Sequence, residues 1–311
     1  MRSCIDLMAT AMSSASSGNV VMPGKHVIPL ADESGFLGVM LGSCGDPKSY
    51  GLKAMSILPG NPSKGLQALQ GVLLVFDSET GAPSGLIDAA EITAIRTAAV
   101  SGMATEFLAR SDAKVAAVLG CGVQAASHLE AMLAVRDIEK FLVWGRSAEK
   151  SRAFCNKYQQ RLGTPMYPVP TARDAVTEAD VISTVTSSEH PIIKGEWVKP
   201  GTHINLVGSH DAQHRESDDE LIASASIYAD VTEFAVRDAG EIVSAIRNKR
   251  LTPEDIVGEI GLLVSGLCRG RESDDEVTVF KSLGLVAQDL AAAQYVMSRA
   301  EELQLGSVCD F

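Results

Sequence analysis

The chain has 311 residues, 46% of them hydrophobic, and a formal net charge of −12. That length supports two ordinary cores, and the acidic balance argues against nucleic acid or an anionic membrane as the main partner. Its six cysteines are scattered and form no CxxC pair, so neither a zinc cluster nor a disulfide framework is expected, and the thiols read as reduced, in a cytoplasmic protein.

The opening stretch, "MRSCIDLMATAMSSASSGN", has a broken apolar run and makes a poor signal peptide. No segment approaches the ~18 apolar residues of a membrane span. Up to about residue 110, short apolar runs alternate with Gly and Pro turns and read as strands and loops. The clearest strand is 72–76 in "GVLLVFDSETGAP". In "LIDAAEITAIRTAAVSGMATEFLA" the period becomes helical, with Ala94, Ala98, Met103, Phe107 and Leu108 recurring at near-helical spacing in an alanine-rich run.

Strands and helices then alternate. "VAAVLG" (115–120) is a continuous apolar run, as a strand buried on both faces should be. "VQAASHLEAMLAV" is an amphipathic helix, "KFLVWG" (140–145) a second strand, and "SAEKSRAFCNKYQQRL" a helix capped by Ser147. Further strands are expected at 179–186, 203–208 and 226–231. This order predicts an α/β fold, a Rossmann-type doubly wound parallel sheet over 113–284. The tail, "SLGLVAQDLAAAQYVMSRAEELQ", reads as one long helix that packs back on the N-terminal part. That makes a discontinuous substrate domain of residues 1–112 with 285–311.

"VAAVLGCGVQAASHL" contains G-x-G-x-x-A: Gly120, Gly122 and Ala125. Gly120 permits the turn out of the strand, Gly122 lets the backbone approach a pyrophosphate, and Ala125 allows close helix–strand packing. The N–H groups at the helix start, around Val123 and Gln124, face the phosphates. The flanking strand and helix supply the context that a lone motif lacks. The second strand ends "VWGRS", with Arg146 and Ser147 where an NAD-selective site carries an acid. A 2′-phosphate suits those residues, so NADPH is preferred, with NADH possible.

In "NLVGSHDAQHRE" (205–216), His210, Asp211, His214 and Glu216 lie close together. A metal site is one reading, but these residues follow a strand and Gly208 and are not on a helix, so no metal is expected.

"EITAIRTAAVSGMATEFLARSDAKVAAVLGCGVQAASHL", "GLKAMSILPGN", "LLVFDSETGAP", "VWGRS", "PGTHINLVGS" and "SLGLVAQDLAAA" together resemble the ornithine cyclodeaminase/mu-crystallin family. The resemblance runs from about residue 20 to the C-terminus. It implies a Rossmann domain and a second α/β domain that binds substrate and forms a homodimer. It also implies one of several chemistries: cyclodeamination of ornithine or lysine, alanine dehydrogenation, reduction of cyclic ketimines, or NADPH and hormone binding as in mu-crystallin.

By position in the family motifs, Lys53 and Arg96 would hold the substrate carboxylate, with Lys25 as a third cation. Arg offers a planar fork and Lys a point charge. Thr97, beside Arg96, is expected at the cofactor phosphates, and Thr184 and Gly208, at strand ends, are assigned to the cofactor site. The cyclodeaminases carry an aspartate where this chain has His210. A further basic residue of that loop falls at His214, and a threonine tied to ornithine binding falls at Ala68. Asp211 could replace the missing acid by a one-residue shift.

Loss of the acid points away from a diamino acid and toward an NAD(P)H-dependent reductase of cyclic ketimine carboxylates. The substrates would be Δ1-pyrroline-2-carboxylate, giving L-proline, and Δ1-piperideine-2-carboxylate, giving L-pipecolate. His210 or a nearby water would supply or relay the proton. The alternatives are an amino-acid dehydrogenase such as one acting on alanine, an ornithine cyclodeaminase, and a mu-crystallin-like NADPH and ligand-binding protein.

Overall fold

The computed structural model describes residues 1–45 and 48–309. Among these residues the chain forms two sheets. Helix α1 (Arg2–Ser16) is followed by β1 (Val20–Val21), β2 (Lys25–Pro29), β3 (Phe36–Gly45), β4 (Lys48–Ile57), β5 (Leu69–Phe76) and β6 (Pro83–Asp88). These strands pair antiparallel in the order β1-β3-β4-β5-β6, with β2 also on β3.

Lys25 is the first residue of β2, its backbone paired with Met40. Lys53 lies in the middle of β4, whose pairing with β3 begins at Lys48.

Helix α2 (Ala89–Leu108) runs between the two sheets, touching β4 and β5 on one side. Asp88 caps it, its side chain accepting from the N–H of Ala90 at 2.8 Å and of Glu91 at 3.1 Å. The helix has no single apolar stripe. Most of it is buried, including Arg96 and Thr97, as suits a central helix. Phe107, near its end, is exposed.

The parallel sheet follows: β7 (Val115–Leu119), α3 (Val123–Val135), β8 (Lys140–Trp144), α4 (Ala148–Leu162), β9 (Met166–Pro168), α5 (Ala172–Glu178), β10 (Val181–Thr184) and β11 (His203–Leu206). It continues through α6 (Asp219–Ser224), β12 (Ser226–Ala229), α7 (Thr232–Asp238), α8 (Gly240–Arg247), β13 (Ile256–Glu259), α9 (Ile260–Val264) and β14 (Thr278–Lys281). The order is β13-β12-β14-β11-β10-β7-β8-β9 and every pairing is parallel. Strands β10, β11 and β14 are buried at every position, the mark of helices on both faces. The expected doubly wound α/β fold is therefore present.

Successive connections leave β7 in opposite directions, toward β8 on one side and β10 on the other. The crevice at their C-terminal ends is the topological switch point where such sheets bind ligands. Helix α10 (Val286–Leu303) returns to lie on β3, β4 and β5 and against α1 and α2. Helix α1 was not foreseen as an element. Its Ile5, Met8 and Met12 recur at helical spacing and are buried against α2, α9 and α10. Among the described residues no helix is long and apolar enough to cross a membrane.

Candidate active site

Lys25, Met40 and Lys53 pair in one row across β2, β3 and β4, so their side chains leave the same face of the sheet. Lys25 and Lys53 are two strands apart, about 10 Å at backbone level. Helix α10 covers that face and brings Asp289, fully buried, between two cations. Asp289 Oδ2 lies 2.7 Å from Lys53 Nζ, and Oδ1 accepts from Arg96 Nε at 2.9 Å. Gln288 Oε1 accepts from Arg96 Nη1. Arg96 Nη2 makes no hydrogen bond among the described residues. One anion against two cations leaves a net positive charge, and Lys25 adds another, so the arrangement suits a carboxylate ligand.

Burial pushes Lys53 down to about 8, with Arg96 adding to the fall and Asp289 opposing it. Burial also lowers Lys25. Lys25 Nζ donates to the carbonyl oxygen of His210 at 2.9 Å, which ties the antiparallel sheet to the loop after β11.

A narrow cleft opens here. Lys25 and His210 line it together with Met22, Met40, Phe234 and Leu283. Gly284, also in the wall, stands against Arg96, where a Cβ would come within 2.9 Å of Nη1. A few charged groups set in an apolar wall suit a small ring bearing one carboxylate.

His210 Nδ1 lies 3.2 Å from the Gly208 carbonyl oxygen. Its crowding in the cleft, reinforced by Lys25 and Lys281, pushes the imidazole down to about 4. The ring is therefore neutral at neutral pH. Asp211 turns into its own loop, accepting from the N–H of Gln213 at 2.8 Å, the N–H of His214 at 3.0 Å and His214 Nδ1 at 2.8 Å. Burial alone would raise it, but these bonds outweigh burial and hold it below the usual carboxylate range. So Asp211 does not take the place of an acid at His210, and His214 faces Asp211 rather than the cleft. Asp238, which also lines the cleft, pairs with Arg237 at 2.7 Å.

At the dinucleotide motif, Gly120 has φ +130°, a conformation that side chains rarely adopt, and it passes close to the Val185 carbonyl. Space is open where a Cβ on Gly122 would stand. Gly122 is the N-cap of α3, so the first-turn N–H groups from Val123 onward have no intrahelical partner. Val123 is exposed and Ala125 fully buried against the sheet. The Gln124 side chain donates to the Thr93 carbonyl at 3.1 Å and joins α3 to α2. Thr97 lies one turn beyond Thr93, buried on α2. Arg146 is exposed and makes no hydrogen bond among the described residues. Ser147 caps α4, accepting from the N–H of Lys150 at 3.2 Å. These residues fit a pyrophosphate at the helix start and an anionic group at the end of β8.

Thr184 and Gly208, at the ends of β10 and β11, are bound to one acid. Thr184 is fully buried and its hydroxyl donates to Glu216 Oε2 at 2.6 Å. The N–H of Gly208 donates to the same oxygen at 2.7 Å. Both therefore hold together the two strand ends that border the crevice.

Sequence reasoning missed Asp289, Gln288 and Lys281, and singled out Glu216 without finding its partners. A signal existed for Asp289 in "VAQDLAAA" and for Lys281 in "VTVFKSLG": a charge inside an apolar run needs a partner.

The family model described as "Ornithine cyclodeaminase/mu-crystallin family" matches residues 1–304. A Δ1-pyrroline-2-carboxylate reductase of Bacillus cereus (strain ZK / E33L) is 35% identical over 312 residues, covering 100% of this chain and 96% of the relative. The ketimine reductase mu-crystallin of Rattus norvegicus is 37% identical over 288 residues, covering 91% of this chain and 87% of the relative. The solved structure of Thermococcus litoralis Δ1-pyrroline-2-carboxylate reductase in complex with NADH and L-proline superposes with a TM-score of 0.95 at 33% identity, covering 98% of this chain and 95% of the other.

Proposed function

This chain belongs to the ornithine cyclodeaminase/mu-crystallin family, and we propose that it reduces cyclic ketimine carboxylates with a nicotinamide cofactor. The substrates are Δ1-pyrroline-2-carboxylate, giving L-proline, and Δ1-piperideine-2-carboxylate, giving L-pipecolate. The observation that carries this reading is the charge pattern of the cleft. Lys25 and Arg237 in its wall outnumber the one carboxylate there, Asp238, which is paired, as are Asp211 and Asp289 beside it. A linear diamino acid would bring a second ammonium with no anion to receive it. A cyclic imine brings only a carboxylate and an apolar ring.

In the proposed mechanism, Arg96 Nη2 and Lys25 take the carboxylate, and Met22, Met40 and Phe234 exclude water around the ring. When bound, the nicotinamide supplies the hydride that the imine carbon takes up. Lys53 retains its proton at neutral pH, with a pKa of about 8, and gives it to the ring nitrogen as the C=N bond is reduced. His210, neutral, lines the same cleft and is the second candidate to relay the proton. Holding the two reactants together supplies the main rate gain.

Residues 113–284 form the cofactor domain, and 1–112 with 285–311 the substrate domain. Gly120, Gly122, Val123, Gln124 and Ala125 receive the pyrophosphate through backbone N–H groups, with Thr97 nearby. Arg146 and Ser147 favour NADPH over NADH. The outward face of the antiparallel sheet exposes Ile28, Leu37, Leu41, Val72 and Leu86, and a contiguous apolar face of that kind is suited to a homodimer interface. The six free cysteines suit a reducing, cytoplasmic setting.

The test is a substrate panel on purified protein with NADPH and with NADH. Oxidation of cofactor by both cyclic imines, faster than by pyruvate with ammonia, supports the reading. Ammonia release from ornithine without imine turnover refutes it.

A further inference from the structure

The motif residue Glu216 is not used in the chemistry above, yet it is fully buried and its carboxylate is saturated. Oε1 accepts from the N–H of Thr186 at 2.8 Å and from its hydroxyl at 2.6 Å. Oε2 accepts from the Thr184 hydroxyl at 2.6 Å and the N–H of Gly208 at 2.7 Å. One carboxylate thus binds the ends of β10 and β11 together. The two segments are in direct contact, since a Cβ on Gly208 would stand 2.0 Å from the Thr186 carbonyl oxygen.

A second buried acid extends the clamp. The N–H of Glu216 donates to Glu241 Oε1 at 2.9 Å, and Glu241 Oε2 lies 3.1 Å from Lys281 Nζ. Lys281 in turn donates to the Ser209 carbonyl oxygen at 2.6 Å, at the residue before His210. On its other side the clamped segment abuts the glycine loop, with the Val185 carbonyl close against Gly120. Glu216 therefore sits where three backbones meet at the switch point: the glycine loop, the end of β10, and the loop that carries His210.

We infer that Glu216 is a positioning residue, setting the crevice wall against which the nicotinamide half of the cofactor and the imine are aligned. It touches neither. The inference rests on the reductase reading, and it places the effect of Glu216 on the reacting end of the cofactor and not on the adenosine end.

Glu216→Gln tests it. Each carboxylate oxygen faces a backbone N–H, Thr186 on one side and Gly208 on the other. An amide must therefore set its own N–H₂ against one of them in either orientation. The expected result is a fall in kcat of about 100-fold, as for a small misalignment of reactants. The Kd of adenosine 2′-phosphate, which carries only the adenosine end and no pyrophosphate, should stay within about twofold of wild type, because that end binds at β8, away from the clamp. Thr186→Val should lower kcat as well, and Thr186→Ser, which keeps the hydroxyl, should lose less. Wild-type kcat in a folded Glu216→Gln protein overturns the inference. So does parallel loss of kcat and adenosine 2′-phosphate binding across Glu216→Gln and Thr186→Val, which would mark a general structural role. Rates are taken relative to wild type on whichever substrate it turns over, so a failure of the imine reading shows in the wild-type panel alone.

Discussion

Lys53 on β4 and Arg96 on α2 share one buried counter-ion, Asp289 of α10, at 2.7 and 2.9 Å. Strand, central helix and C-terminal helix are locked together at the point where the proposed substrate carboxylate docks. Removing the shared anion leaves two buried cations facing each other. Asp289→Asn should therefore destabilise the protein by about 3–5 kcal/mol, measured by denaturant unfolding, because an uncompensated buried charge is worse than no ion pair. An unchanged unfolding midpoint would show that the pair contributes no net stability.

The pH dependence follows from Lys53. Its pKa of about 8 lies below the ordinary value for lysine, so the ammonium is lost as pH rises through about 8. The profile of kcat/KM should fall along that limb. In Lys53→Arg the remaining activity should keep no such limb, since a guanidinium does not titrate there. In Asp289→Asn the limb should move to lower pH, because the carboxylate that raises Lys53 is gone. A limb indifferent to both changes would assign the titration to another group.

His210→Asp restores an acid to the cleft. It sets a negative charge beside the Lys25 contact and near the docking carboxylate. Like charges brought together at a binding site cost at least about 1.4 kcal/mol, so KM for the imine should rise about tenfold or more. His210→Ala should raise KM less. Equal effects of the two substitutions would mean that the charge at this position does not matter.

Cofactor choice is predicted from the end of β8. Arg146→Ala should lower the ratio of kcat/KM for NADPH over NADH by about 10- to 100-fold, the worth of a charge-assisted hydrogen bond. NADH kinetics should barely move. A ratio that stays put would make Arg146 a solvated arginine.

The outward sheet face gives a prediction about assembly. Leu86, 65% exposed, lies on that face. Sedimentation should show a dimer for the wild type and a monomer for Leu86→Asp. A monomeric wild type would remove the interface from the account.

Much of the parallel sheet was legible because its signals are local. Helix α3 spans the residues that the apolar period marks, and Ser147 caps α4 through the N–H of Lys150. The strands β9, β13 and β14 were not legible, because Pro168, Gly258 and Lys281 interrupt their apolar runs. The clamp residues were hidden for a different reason. Asp289 meets Arg96 and Lys53 only after the C-terminal helix folds back over the sheet, and Glu216 meets Thr184 only across two strand ends. Pairings between distant parts of the chain leave no spacing to read. What could be read was the absence of an acid at His210, and the geometry of Asp211 sharpens it by tying the neighbouring carboxylate to His214.

The central claim is hydride transfer to a carboxylate-bearing ring carbon between Lys53 and Arg96. The most direct measurement uses cofactor deuterated at the transferable position, with Δ1-pyrroline-2-carboxylate as substrate and mass spectrometry of the product. The account predicts proline carrying one deuterium at the carbon next to the carboxylate, and loss of that product in Arg96→Ala while the cofactor still binds. Unlabelled proline, or no proline from folded wild-type protein holding its cofactor, would contradict it.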